Sequence, residues 1–229
     1  MIQLETIYES DPFYNIAKLD AICSKYEICE NFMYRLRQLK NFEIIIIIDD
    51  SGSMNTPVGS VNISGKGNPY NKNPKRWDEA RRTSSVIVDI ASLMDDNGVD
   101  IYFLNRSPIF GIKSSDQLDL LFSVEPAGFT PIVPVLKKIY SKPIKKGKIC
   151  RLIILMTDGE PTGNDGKVDI VSFKNCLMYD RLPTDYVNIV ACTDDDNVMS
   201  YLNNWDDTIP RLDVIDDYGS EREEVIRAQ

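Results

Sequence analysis

Residues 44 to 48 are five consecutive isoleucines, and the run stops at Asp49-Asp50-Ser51-Gly52-Ser53-Met54. Five residues are too few to cross a bilayer, and β-branched side chains disfavour a helix, so the run predicts a strand buried on both faces. The abrupt change to polar residues puts Asp49, Ser51 and Ser53 at the carboxyl end of that strand, where an open α/β sheet has its crevice. Their alternate spacing, with Gly52 freeing the turn, presents three small oxygen-bearing side chains suited to a hard divalent cation.

The rest of the chain repeats the pattern of apolar strand followed by helix. Before the isoleucines, Asp11 to Leu39 has helical spacing, and residues 1–41 are expected to form an N-terminal helical extension to a domain over 42–229. A Gly-, Asn- and Pro-rich loop from Asn55 to Lys75 is longer than most strand-to-helix connections. Arg76 to Asp95 then reads as an amphipathic helix, with Trp77, Ala80, Ser84, Ile87, Ala91 and Met94 on one face. Val99 to Leu104 is a strand, and Arg106 to Ile112 a second one at a hairpin or edge. Ser114 caps a helix to about Phe122, and Pro131 opens another that runs to about Ser141. Cys150 to Met156 is an apolar strand ending in Thr157-Asp158-Gly159. A helix over Asp169 to Arg181, a strand over Tyr186 to Cys192, a short helix from Asn197 to Asn204, an edge strand over Arg211 to Ile215 and a terminal helix capped at Ser220 complete the chain. Strands separated by helices imply parallel βαβ units, hence an α/β fold with a doubly wound, mainly parallel sheet flanked by helices.

Composition narrows the chemistry. The 229 residues contain no histidine, which removes Ser-His-Asp and Cys-His mechanisms and imidazole zinc sites together. A formal net charge of −9 argues against nucleic acid as a partner. The six lysines from Lys137 to Lys148 are a local exception and read as a solvated rim. Five scattered cysteines read as free thiols of a reducing compartment. No run is long enough to span a membrane, and the N-terminus lacks the pattern of a signal peptide.

Parallel strands deliver their carboxyl ends to one edge, so loops beginning near residues 49, 130 and 158 converge. The candidate cluster is Asp49, Ser51, Ser53, Thr130 and Asp158: two carboxylates and three hydroxyls, suited to Mg²⁺, with Mn²⁺ or Ca²⁺ as alternatives. Taken singly, each part is an ordinary turn or helix start. Ser51-Gly52-Ser53 also resembles a phosphate-binding nest, but no Walker lysine follows.

Asp-x-Ser-x-Ser after an apolar strand, Thr-Pro opening a later helix and Thr-Asp-Gly after another strand together resemble the von Willebrand factor A (vWA) domain with its metal-ion-dependent adhesion site, over residues 42 to 217. The resemblance implies a Rossmann-like vWA fold in which Ser51, Ser53 and Thr130 ligate the metal and Asp49 and Asp158 act directly or through water. It implies a protein partner supplying an Asp or Glu carboxylate to the open metal position, and no catalysis. Gly128-Phe129 departs from the glycine pair that often precedes the Thr-Pro. Trp77-Asp78-Glu79 and the ending from Asp213 are similar to copine-like members, which implies an intracellular, cytoplasmic setting. The competing function is a Mg²⁺-dependent phosphoryl-transfer enzyme using Asp49 as acceptor, against which stands Ser51 in place of a second aspartate. A third possibility is a structural domain whose site serves only to stiffen its loops.

Overall fold

The computed structural model describes residues 16–29, 36–58, 74–94, 97–163, 165–193, 200–202 and 204–215. The expectations for residues 11–15, 30–35, 59–73, 95–96, 194–199 and 216–229 lie outside the described residues.

The isoleucine run forms β1 (Phe42–Ile48), the strand from which the sheet spreads in both directions. Its neighbours are β2 (Val99–Phe103) and β4 (Cys150–Thr157), both parallel to it. Beyond β2 lies the antiparallel edge strand β3 (Ile109–Ile112), and beyond β4 lie β5 (Asp185–Ala191) and β6 (Leu212–Ile215), both parallel. The order β3-β2-β1-β4-β5-β6 makes an α/β sheet of six mainly parallel strands.

Successive side chains on a strand point to opposite faces, and β1 divides its isoleucines accordingly. Ile45 and Ile47 join Ile153, Leu155, Val187 and Ile189 in one core, closed by helix α4 (Ile132–Tyr140) and helix α5 (Ile170–Asn175). Ile44, Ile46 and Ile48 join Ile101, Phe103 and Met156 in the other, closed by helix α2 (Arg76–Met94) and helix α3 (Leu118–Phe122). Burying one isoleucine fully is worth about 1.5–3 kcal/mol, so β1 draws stabilisation from both layers at once.

Several predicted elements differ in detail. The long N-terminal helical stretch is represented by α1 (Ile16–Tyr26) and by a separate 3₁₀ turn, Arg37–Asn41, that leads straight into β1. The helix after Asp169 changes to a π-helical turn at Cys176–Asp180. Ser114 caps its helix as expected, with Gln117 completing the capping box, but the first turn is 3₁₀. At Gly98, φ is +75° and an added Cβ would lie 2.6 Å from the Ile112 carbonyl, so only glycine can open β2 against β3.

A charged row crosses the amino end of the sheet. Glu43, Arg151 and Asp185 occupy paired positions on β1, β4 and β5. Arg151 is buried, 3.3 Å from Glu43 and 3.8 Å from Asp185, and donates to the carbonyls of Ile139 and Lys142 at 2.8 Å each. It thereby ties the last turn of α4, and the chain just beyond it, to the sheet. Burial raises the pKa of Asp185, with Arg151 opposing the shift.

Helix α1 docks on α2 through Asp89, which accepts from Lys25 (2.7 Å), Tyr26 (2.7 Å), and both the backbone and hydroxyl of Ser115 (3.0 Å each). Burial pushes the Asp89 carboxyl up, but these donors outweigh it and hold it below the usual aspartate value.

Replacing Arg151 by Met is expected to destabilise the chain by about 3–5 kcal/mol, because Glu43 and Asp185 are left buried without their cation. A lower chemical-denaturation midpoint checks this. For Asp89, a depressed carboxyl pKa gives stability that is present above the ordinary aspartate pKa of about 4 and lost as pH falls through the lower folded value. The stability gap between wild type and Asp89→Asn is therefore expected to close on acidification. Denaturation midpoints of the two proteins from pH 7 downward measure it.

Candidate functional site

The sheet order reverses at β1, since β2 lies on one side of it and β4 on the other. Ligands of open α/β sheets collect in the crevice outside the strand ends at such a switch point. Here the register Ile48↔Met156 brings Asp49 beside Thr157 and Asp158.

Four of the five predicted side chains meet there. Asp49 is fully buried; one carboxylate oxygen accepts from the Ser51 amide at 2.9 Å and the other from the Thr157 hydroxyl at 2.6 Å. The Ser51 and Ser53 hydroxyls are 3.0 Å apart, and Ser53 donates to Asp158 Oδ1 at 2.7 Å. Burial raises the Asp49 pKa to about 7, against the hydrogen bonds of Ser51 and Thr157, and the nearby Asp158 charge adds to the rise.

Thr130 stands one step away. It is buried, its amide donates to the Thr162 hydroxyl at 3.0 Å, and its carbonyl accepts from the Thr162 amide at 2.9 Å. Among the described residues no hydrogen bond joins it to the other four. Its loop nevertheless lies on the cluster, with Gly52 N–H donating to the Gly128 carbonyl at 3.2 Å and Ala127 N–H to the Asp50 carbonyl at 2.8 Å. Gly128, at φ +113°, leaves no room for a Cβ against Asn105, which explains a glycine there.

The sequence reading missed the groups that neutralise these acids. Arg76 holds Asp158 Oδ2 at 2.9 Å and the Thr193 hydroxyl at 2.6 Å. A cation in the first turn of a helix opposes the helix dipole, and that misplacement was the available signal. Asp50, which was not among the predicted site residues, is buried and receives the Asn105 backbone at 2.8 Å, the Asn105 amide at 3.1 Å and Arg106 at 2.8 Å. Arg106 in turn lies 4.0 Å over the Phe103 ring. No sequence spacing announces that tie, because Asn105 and Arg106 lie in the loop between β2 and β3.

The three oxygens of Ser51, Ser53 and Asp158 have spacings near the edge of an oxygen octahedron around Mg²⁺, about 2.9 Å. Their spacing fits a cation, but Arg76 already supplies the charge to Asp158. Among the described residues no group of three or more His, Cys, Asp and Glu is placed to hold a metal.

The site therefore belongs to an α/β protein with a mainly parallel six-stranded sheet. No family model matches the chain, and no curated protein matches it. Among solved structures it is similar to a point mutant of the PilB minor pilin from Streptococcus sanguinis, at 14% identity and a TM-score of 0.53, covering 79% of this chain and 58% of that one. A second structure of the PilB minor pilin from Streptococcus sanguinis is matched at 14% identity and a TM-score of 0.46, covering 81% and 61% of the two chains. The chain thus spans about three-fifths of the length of the structures it resembles. The first likeness carries the fold alone.

These findings correct three expectations. The chain is not assigned to the vWA family, since no family model matches and the structures it resembles are minor pilins. The metal-dependent adhesion module that captures a partner's carboxylate is withdrawn with that family, because Asp49 and Asp158 are committed to protein donors and no acidic metal group is present among the described residues. Phosphoryl transfer onto Asp49 is withdrawn as well, because a fully buried carboxylate with both oxygens bonded cannot meet a phosphate.

Arg76→Met should cost about 3–5 kcal/mol by leaving Asp158 buried and unpaired, and adding Asp158→Asn should recover part of that loss. A double-mutant cycle on denaturation midpoints checks the coupling.

Proposed function

We propose that this chain is a non-enzymatic structural domain that works in protein assembly, presenting a stiffened rim at the carboxyl end of its sheet. The observation that carries this reading is that the three carboxylates at that rim, Asp49, Asp50 and Asp158, are each spent on ties between loops. A general acid, base or nucleophile needs an accessible reacting atom, whereas here the acids tie the 49–53 segment to residues 157–158, to Asn105 and Arg106, and to Arg76. The likeness in fold to a minor pilin supports the same reading.

On this proposal the contact surface is the apolar group above the clamp. Phe129 is 59% exposed, its ring packs against Gly166, and the exposed Val168 and Val171 follow on the adjoining loop and helix turn. A photo-crosslinking residue at position 129 is expected to capture a protein in cells, and one at position 146, on the opposite rim, to capture far less. Equal capture at both positions would count against the reading. Turnover of a simple phosphate ester with Mg²⁺ would count against its non-enzymatic part.

A second reading rests on the 3.0 and 2.7 Å spacings at Ser53. Ser51, Ser53 and Asp158, with Asp49 and Thr130 behind them, hold a divalent cation such as Mg²⁺ that stiffens the same loops and relieves Arg76 of neutralising Asp158. Thermal unfolding in Mg²⁺ and in EDTA tests it: a rise in Tm with Mg²⁺ that disappears in Asp158→Asn supports the cation, and identical Tm values dismiss it.

A further inference from the structure

The lysines that the sequence reading set aside lie at the end of the sheet opposite the candidate site. The segment from Lys137 to Lys148 contains six lysines and no acid, while the other residues of the chain carry 20 basic and 35 acidic side chains, a balance of −15. This is a local concentration of positive charge on an acidic protein. It runs from the last turn of α4 through the loop to the start of β4. Lys40, just before β1, and Lys113, just after the antiparallel β3, reach the same rim.

Some of these ammonium groups have internal tasks. Lys145 pairs with Asp100 at 2.7 Å, Lys137 with Asp180 at 3.2 Å, and Lys142 donates to the Tyr102 hydroxyl at 2.7 Å while lying 4.6 Å over Phe110. They hold the rim in shape. Lys138, Lys146 and Lys113 have no carboxylate partner among the described residues. Among the lysines stands Ile149, 65% exposed at the mouth of β4, with the exposed Pro143 on the same loop and Phe110, 53% exposed, on the edge strand.

We propose that this rim is a docking surface for an anionic lipid bilayer. Lysine ammoniums are hydrated point charges that suit a diffuse field of phosphate and carboxylate headgroups, whereas recognition of a particular acidic peptide favours the planar fork of arginine. Each lysine near such a surface contributes about 1 kcal/mol, and an exposed apolar side chain among them reaches the headgroup boundary. The net negative charge of the chain does not prevent this, because repulsion from its distant acids is screened over about 8–10 Å at ordinary salt. Among the described residues no helix is long and apolar enough to cross a membrane.

Co-flotation of the full chain with phosphatidylcholine vesicles containing about 30 mol% phosphatidylserine, a composition that gives a negative surface potential, tests this. Binding is expected to phosphatidylserine vesicles, to weaken with added salt, and to be absent from pure phosphatidylcholine. The double variant Lys138→Glu/Lys146→Glu, which alters only exposed side chains, should bind at least about tenfold more weakly, given about 1 kcal/mol per lysine. Ile149→Ser should weaken binding without changing its salt dependence. Lys167→Glu, a charge reversal on a side chain that is 84% exposed in the loop beside Phe129, should leave binding unchanged. No binding, equal binding to neutral vesicles, or equal loss in Lys167→Glu overturns the proposal. Retention on an acidic protein or polyanion matrix without vesicle binding overturns it too, and reassigns the rim to that partner.

Discussion

A central strand buried on both faces leaves its chain no place for charge except its two ends, and much of this protein's architecture follows from that constraint. Between Glu43 and Asp49, β1 carries only isoleucine, and its neighbours match it with Ile153, Leu155 and Met156 on one side and Ile101 and Phe103 on the other. Polar groups that enter the sheet therefore gather at two rims. At the amino rim Arg151 balances Glu43 and Asp185. At the carboxyl rim Arg76 balances Asp158, and Arg106 balances Asp50. Each cation also reaches beyond its acid, Arg151 to the Ile139 and Lys142 carbonyls, Arg76 to Thr193 and Arg106 to the Leu121 carbonyl, so charge neutralisation and loop fixation are one act.

The layered fold was readable from period and composition because those signals are local. The isoleucine run, the spacing of Trp77, Ala80, Ala91 and their neighbours, and the recurrence of apolar strands fixed the class and most element positions. Boundaries drifted where capping and turn geometry decide, as at Leu118–Phe122 and at the π-helical turn after Asn175. The convergence of the loops at 49, 130 and 158 also followed from parallel strands. The bonding state of the acids could not be read, because a side-chain donor to each lies 55 residues or more away: Asn105 and Arg106 for Asp50, Thr157 for Asp49, Arg76 for Asp158. Spacing of oxygens along a chain says where acids gather and nothing about the donors that come to meet them. A short motif thus overstated what the cluster is for.

The two rims differ in kind. At the carboxyl end the acids are buried, Asp50 and Asp158 each matched by one arginine and Asp49 by Ser51 and Thr157, which produces fixed loops beneath an exposed Phe129. At the amino end the lysines are mostly exposed, tethered at a few points and interleaved with aliphatic side chains. The carboxyl end is organised by short, buried, directional bonds that salt affects little, whereas the amino end carries, outside its buried Arg151 row, an exposed lysine field that salt screens. A domain built this way has a front and a back with separate physical responses.

The insertion after the candidate site has a further consequence. Its two stems are stitched by a bridge between Pro57 and Lys75, with Val58 N–H donating to Pro74 and Arg76 N–H to Thr56. The two stems are therefore held together by hydrogen bonds of their own at the start of helix α2, and lengthening a segment closed in this way costs free energy only logarithmically. The closed stems make this position a natural grafting point, where a foreign peptide can be displayed beside the carboxyl rim.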